Sequence, residues 1–179
     1  MKKTFLFAAL ASVSLAACGA SEAPAPAAET TETVQSVVTV NDDASGPVYT
    51  GETGNLAVSG YDAVSYFTGE GVPVEGSEDH VVIYNDKEYR FASAENAEKF
   101  AAEPAAFAPQ YGGHCAWALA RGYLAPGDAT KYKIVDGKLY LNFNEEVQQK
   151  WLKDIPGFLV KSEEAWPGFT KDQRYDDAD

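Results

Sequence analysis

Two stretches of this chain ask for a tight β-hairpin, and together they restrict the fold more than any other feature. "VVIYNDKEYRFAS" sets two runs of β-forming residues around Asn85-Asp86, and "YKIVDGKLYLNF" does the same around Asp136-Gly137. Both dipeptides suit the left-handed backbone of a primed two-residue turn. A helix start follows each hairpin. After the first, Ser93 is a candidate N-cap, Glu95 falls in the first turn, and Ala97, Phe100 and Ala101 share one face before Pro104 stops the helix. After the second, Asn144 is the cap, Glu145 and Glu146 fill the first turn, Val147, Trp151 and Leu152 supply the apolar side, and Lys150 and Lys153 sit near the end. "DIPGF" closes that helix, and a further short one is expected around 158–165. No internal repeat is evident in the sequence. The predicted class is α+β: small antiparallel β-hairpins packed against three or four short helices in a single domain.

The chain opens "MKKTFLFAALASVSLAACGA", a short basic start, an apolar run and small residues leading to Cys18. That layout is a secretory signal, too short to span a bilayer as a helix. Leu15-Ala16-Ala17-Cys18 resembles the lipobox of bacterial lipoproteins. The resemblance implies cleavage before Cys18 and acylation of its thiol and new amine. Gly19 follows the cysteine, which resembles the pattern sent on to the outer membrane. The expected location is therefore extracytoplasmic, lipid-anchored, on the periplasmic face of the outer membrane. Residues 1–17 are the signal peptide and 18–54 a linker of Ala, Pro, Glu and Thr, with "VQSVVTV" (34–40) as an isolated strand candidate. Residues 55–167 form the domain and 168–179 an acidic, disordered tail.

Net charge is −13, and removal of Lys2 and Lys3 with the signal takes it to −15. So acidic a chain, with no basic cluster, excludes nucleic acid as a partner and leaves the lipid anchor as the link to the membrane. With 45% hydrophobic and 12% aromatic residues there is enough apolar surface for a core.

With Cys18 lipidated, one thiol remains, Cys115, in "APQYGGHCAWALARGY". An internal disulfide is then impossible, although a Cys115-mediated dimer is open. Gly112-Gly113 lets the chain turn sharply, and "HCAWALARG" reads as a helix with Cys115 in its first turn. There the helix dipole would lower the thiol pKa. His114, beside it, could share an ion with Cys115 only if the glycine turn holds it outside the helix. Soft ligands in the mature chain are His80, His114 and Cys115, which exclude a Cys₄ or Cys₂His₂ zinc site and leave a one-Cys, two-His set of copper type. That set requires His80, placed at the entrance of a strand, to fold against the pair. Alternatively, Cys115 is a small buried core residue or a redox or nucleophilic thiol. Tyr61, Asp62 and Tyr111 are candidate pocket residues. Their structural alternatives are a turn aspartate bonding its own backbone and core tyrosines with satisfied hydroxyls.

"GYDAVSYF", "YRFASAENAEKFAAEPAAFAPQYGGHCAWA", "YKIVDGKLYLNF", "KWLKDIPGF" and the closing "AWP" resemble YHS-domain proteins, closest to secreted or lipid-anchored bacterial ones, over most of residues 55–167. The resemblance implies a fold more firmly than an activity. YHS domains attached to heavy-metal transporters carry cysteines thought to bind metal. At those positions this chain has Ser65, Ala92 and Asn96. The expected function is an envelope-tethered binding module rather than an enzyme, with a soft metal, copper above zinc, or a small ligand near Cys115. A thiol-based redox sensor or enzyme, and a structural envelope protein, are the alternatives.

Overall fold

The computed structural model describes residues 37–42, 46–51 and 54–175. The signal segment, Cys18, the linker up to residue 36 and the final residues 176–179 lie outside them. The fold is α+β. Strands β1 (Val38–Val40), β2 (Ser77–Tyr84) and β3 (Lys87–Phe91) form one sheet, in that order, with β1 parallel to β2 and β2 antiparallel to β3. Strands β4 (Asp128–Val135) and β5 (Lys138–Asn142) form a second, antiparallel sheet. Among the described residues five α-helices accompany them: α1 (Ala94–Ala102), α2 (Pro104–Phe107), α3 (Ala116–Leu119), α4 (Glu145–Trp151) and α5 (Ile155–Ala165).

Both hairpins form at the expected turns, with Asn85 and Asp86 at φ 49° and 64° and Asp136 and Gly137 at 50° and 73°. Both expected caps are made. The Asn96 amide donates to Ser93 Oγ at 3.2 Å, and the Val147 amide donates to Asn144 Oδ1 at 2.9 Å. Pro104 does not end helical structure outright. It stops α1 and then serves as the first residue of α2, the one helical position where its missing N–H costs nothing.

The structure corrects the absence of a repeat. The chain contains one supersecondary unit twice, and the copies match element for element, the left-handed turns 53 residues apart and the hairpins and capped helices 51. Each begins with three successive left-handed residues, Val58-Ser59-Gly60 (φ 52°, 52°, 82°) and Tyr111-Gly112-Gly113 (φ 56°, 58°, 82°). Each such turn closes with the same 3.0 Å bond, Tyr61 N to Val58 O and His114 N to Tyr111 O. The next residue bonds a distant carbonyl: Asp62 N to Val74 O at 2.8 Å, Cys115 N to Ala125 O at 2.9 Å. An eight-residue strand with an irregularity near its start then pairs with a five-residue strand, Ser77 opposite Phe91 and Asp128 opposite Asn142. A capped helix follows. It carries an i,i+4 ion pair of 2.7 Å in both copies (Glu95–Lys99, Glu146–Lys150) and buries one aromatic completely, Phe100 or Trp151.

The copies share a core. Val82, Phe91 and Phe100 of the first pack in one cluster with Ala129, Leu139 and Leu141 of the second. Tyr66 and Tyr132 meet edge-on at 4.9 Å, and each hydroxyl donates to a carbonyl of the other copy's loop or strand, Ala129 O at 2.8 Å and Gly71 O at 2.6 Å. A second cluster gathers Tyr111, Leu119, Tyr140 and Trp151 under α5.

Segments read as linker and tail also return onto the domain. Tyr49 N donates to Gly112 O at 2.8 Å, an approach that only glycine permits, since a Cβ on Gly112 would lie 2.0 Å from the Pro47 carbonyl oxygen. Phe169 packs against Trp166 and Tyr175 against Tyr49, with ring centroids 6.3 and 5.7 Å apart. No helix among the described residues is long and apolar enough to cross a membrane.

Because Ser93 and Asn144 perform one task in two equivalent places, Ser93→Ala and Asn144→Ala should each lower the unfolding free energy by about 1 kcal/mol. Urea unfolding of the two variants and their double mutant checks this, with additive losses expected for caps on separate helices.

Candidate functional site

The left-handed turns aim one side chain in each copy at the interior. In the first copy it is Asp62, which is 0% exposed. Its Oδ1 accepts from the amides of Val64 (2.8 Å) and Ser65 (3.3 Å). Its Oδ2 accepts from the Ala92 amide (3.0 Å) and from Asn96 Nδ2 (2.7 Å). Ser65 Oγ donates to the Asp62 carbonyl at 2.6 Å and accepts from Val74 N at 3.0 Å. Asp62 is thus the turn aspartate of the structural alternative, extended by a clamp onto β3 and α1. The positions where the resembled transporter-linked domains carry cysteine, 65, 92 and 96, do meet here. In this chain they meet around a carboxylate whose lone pairs are already taken.

In the second copy the equivalent residue is Cys115, free and 1% exposed. It does not lie in the first turn of a helix. It is the N-cap of α3, with extended backbone (φ −62°, ψ 115°), and α3 is only four residues long. So short a helix has little dipole to offer, and burial pushes the thiol pKa up although the backbone N–H groups of Ala118, Phe143 and Trp117 pull the other way. The thiol faces Asn142, with Sγ 4.0 Å from Oδ1. Asn142 is 0% exposed and its Nδ2 has no partner among the described residues.

His114 does stay outside the helix, held by the glycine turn at φ −72°, ψ 159°. Its ring is buried, with Nδ1 3.0 Å from the Tyr111 carbonyl, which fixes Nδ1 as the protonated nitrogen of a neutral imidazole. Burial lowers its pKa from 6.5 to about 4. The ring lies beside Tyr49, centroids 5.8 Å apart, in a small hollow shared with Tyr175. His80 stands on the other hairpin, where it lines a groove with Val38, Ala97 and Ala101. The structure does not bring the three candidate metal ligands together. Among the described residues no group of three or more His, Cys, Asp or Glu side chains is placed to hold an ion.

The three candidate pocket residues also part company. Asp62 is sealed in the core. Tyr61 edges a shallow pocket with Ser59, Asp128 and Phe143. Tyr111 lines a cavity of about 270 Å³ whose other walls are Tyr84, Tyr89, Trp166, Pro109 and Gln110, with Lys87 and Lys171 also lining it. The Tyr111 hydroxyl donates to Glu163 at 3.1 Å and the Tyr84 hydroxyl to Asp42 at 2.5 Å, so the rings are fixed. Neither lysine forms an ion pair among the described residues. Reasoning from sequence missed Tyr84, Tyr89, Lys87, Trp166, Lys171 and Asn142. The one available signal was strand alternation, which puts Tyr84 and Tyr89 on the buried side of the first hairpin.

Comparison with protein families, curated proteins and solved structures finds no match for this chain.

Two consequences are measurable. The unfolded chain protonates His114 near pH 6.5 while the folded one resists to about pH 4, so stability should fall as pH drops through that window. The loss should be on the order of 3 kcal/mol and should shrink in His114→Gln, measured by denaturant unfolding at several pH values. Cys115 should react with a maleimide far more slowly in the native protein than after unfolding. Equal rates in the two states would show that the thiol is open to solvent.

Proposed function

We propose that this chain is an envelope-tethered binding module of YHS type, not an enzyme, and that it binds a small organic anion with a flat apolar body in the cavity beside Tyr111. The observation that carries this reading is the convergence, on one cavity in a chain of net charge −13, of four aromatic side chains and two lysines that form no ion pair among the described residues. Apolar walls with a few fixed polar groups are the usual make-up of a small-molecule site. Rings already held by their hydroxyl bonds lose little entropy when a ligand arrives. Among the described residues Lys87 and Lys171 are the cationic groups lining the cavity, which favours a carboxylate over a neutral or cationic ligand. The lipobox resemblance at Cys18 supports the tether, and the YHS resemblance supports a module without its own chemistry. A soft-metal site at Cys115 has less support, because the thiol and the His114 imidazole are buried and His80 is elsewhere.

Calorimetric titration with benzoate and indole-3-acetate, each beside its neutral amide, is the test. The carboxylates should bind and the amides should bind at least tenfold more weakly. Lys87→Met with Lys171→Met should remove that preference, at roughly tenfold per lost charged contact. Tyr111→Ala should weaken both series. Cys115→Ala should change neither, and a loss of binding in that variant would return the site to the thiol.

A further inference from the structure

A second hollow lies between the two copies, on residues that the cavity beside Tyr111 does not use. It holds about 240 Å³, and three aromatic residues line it, Tyr49, Tyr61 and Phe143. Asp128 lines it too, and among the described residues no Lys, Arg or His does. The backbone holds each aromatic residue in place. The Tyr49 amide donates to Gly112 O, and its ring is flanked by His114 and Tyr175. Tyr61 closes the first left-handed turn and bridges to Glu75. Phe143 follows Asn142, the strand partner of Asp128, so ring and carboxylate stand at one end of the second sheet. The repeated frame requires neither group, since the equivalent positions of the first copy hold Ser77 and Ala92. Phe143 is 49% exposed, an apolar ring facing water. Asp128 Oδ1 accepts from the Thr130 amide and hydroxyl, both at 2.8 Å, which fixes the carboxylate. Its Oδ2 has no hydrogen bond or ion pair among the described residues.

We infer that this hollow is a binding site for a quaternary alkylammonium group, a cation clad in methyls. The face of an aromatic ring is negative and attracts a cation, most strongly one that has left its water. Three aromatic residues and one carboxylate, with no basic group lining the hollow against them, select a cation over an anion. The methyls bury apolar ring surface, that of Phe143 above all. A primary ammonium has three N–H donors, each needing an acceptor once its water is removed, so it loses more on entering. The net charge of −13 draws cations of every kind to the surface, and the rings add the preference for a methylated one. The site is independent of the anion cavity and opposite to it in charge preference. Free solutes and lipid headgroups both carry the trimethylammonium group, and that group is what the hollow recognises.

Calorimetric titration of the full-length protein with choline, beside 3,3-dimethyl-1-butanol, tests this. The alcohol has the shape of choline without its charge and should bind at least tenfold more weakly. Phe143→Leu keeps an apolar side chain at an exposed position but removes the ring, and should weaken choline binding roughly fivefold. Asp128→Asn keeps the acceptor for Thr130 and removes the charge. It should weaken choline by a similar factor and leave the alcohol unchanged. Benzoate should not compete with choline. Sedimentation with phosphatidylcholine vesicles separates the two sources: pelleting that free choline reverses places the group on a lipid, and no pelleting places it on a free solute. The inference is overturned if no choline binds, if choline and the alcohol bind equally, or if benzoate displaces choline. It is equally overturned if Phe143→Leu and Asp128→Asn, both folded by circular dichroism, bind choline as the unaltered protein does.

Discussion

The carboxylate of Asp62 is the joint on which the first half of the molecule closes. It is fully buried and in no ion pair among the described residues, and what keeps it tolerable is that its two oxygens receive four N–H donors. Those donors come from the turn after Gly60, the end of β3 and the first turn of α1. One side chain therefore fixes three elements relative to one another. The strained approach to it is consistent with that weight. Val58 is β-branched and sits at φ 52°, a conformation it adopts only where the surroundings over-determine it. The Tyr61 amide closing on the Val58 carbonyl and the Asp62 amide bonding Val74 supply that determination.

The second copy keeps the frame and changes the joint. Its left-handed turn carries two glycines where the first carries Ser59 and Gly60, so part of the strain is relieved. With Cys115 in place of Asp62, closure depends more on packing: Leu119, Tyr140 and Trp151 under α5, and the Ser162 hydroxyl donating to the Ala116 carbonyl at 3.2 Å. Helix α5 starts where α2 starts in the first copy, after a residue of matching backbone (Asp154 at φ −152°, ψ 63°; Glu103 at φ −142°, ψ 66°), but it runs for 11 residues where α2 has 4. It covers the half whose polar joint is weaker.

The hairpins, the caps at Ser93 and Asn144, the turn at Gly112-Gly113 and the α+β class were legible in the sequence, because each is decided by a few neighbouring residues. The repeat was not. Strand pairing constrains the pattern of side chains rather than their identity, and in equivalent places the copies keep only scattered residues such as Ile83 and Ile134, Lys87 and Lys138, Tyr89 and Tyr140. Tyr111 was legible as a pocket residue, but its companions come from four separate stretches of chain, and no spacing in the sequence connects Tyr84 to Trp166. The reading of Cys115 as a helical thiol failed for a local reason. An Ala- and Leu-rich run has high helix propensity, yet Cys115 is held extended (φ −62°, ψ 115°), bridged to Leu141 and with its amide on the Ala125 carbonyl, so the helix starts at Ala116.

The two buried joints and the cavity also divide the labour of the fold. Duplicated segments place Asp62 and Cys115 in the core, where a diffusing organic ligand does not reach them. Much of the cavity wall is what the repeated units leave out: Gly46, Pro47 and Val48 from the returning linker, Ala105, Ala108, Pro109 and Gln110 between α1 and the second left-handed turn, and Trp166 and Lys171 after α5. The repeated units contribute Tyr84, Asn85, Lys87 and Tyr89 from the first copy and Tyr111 and Gly112 from the second. A repeated frame presents equivalent surfaces wherever the repeat is faithful. A single site of defined shape therefore arises where the repeat is interrupted, and in this chain Trp166 and Lys171 from outside the repeat meet Tyr84, Lys87, Tyr89 and Tyr111 from its two copies.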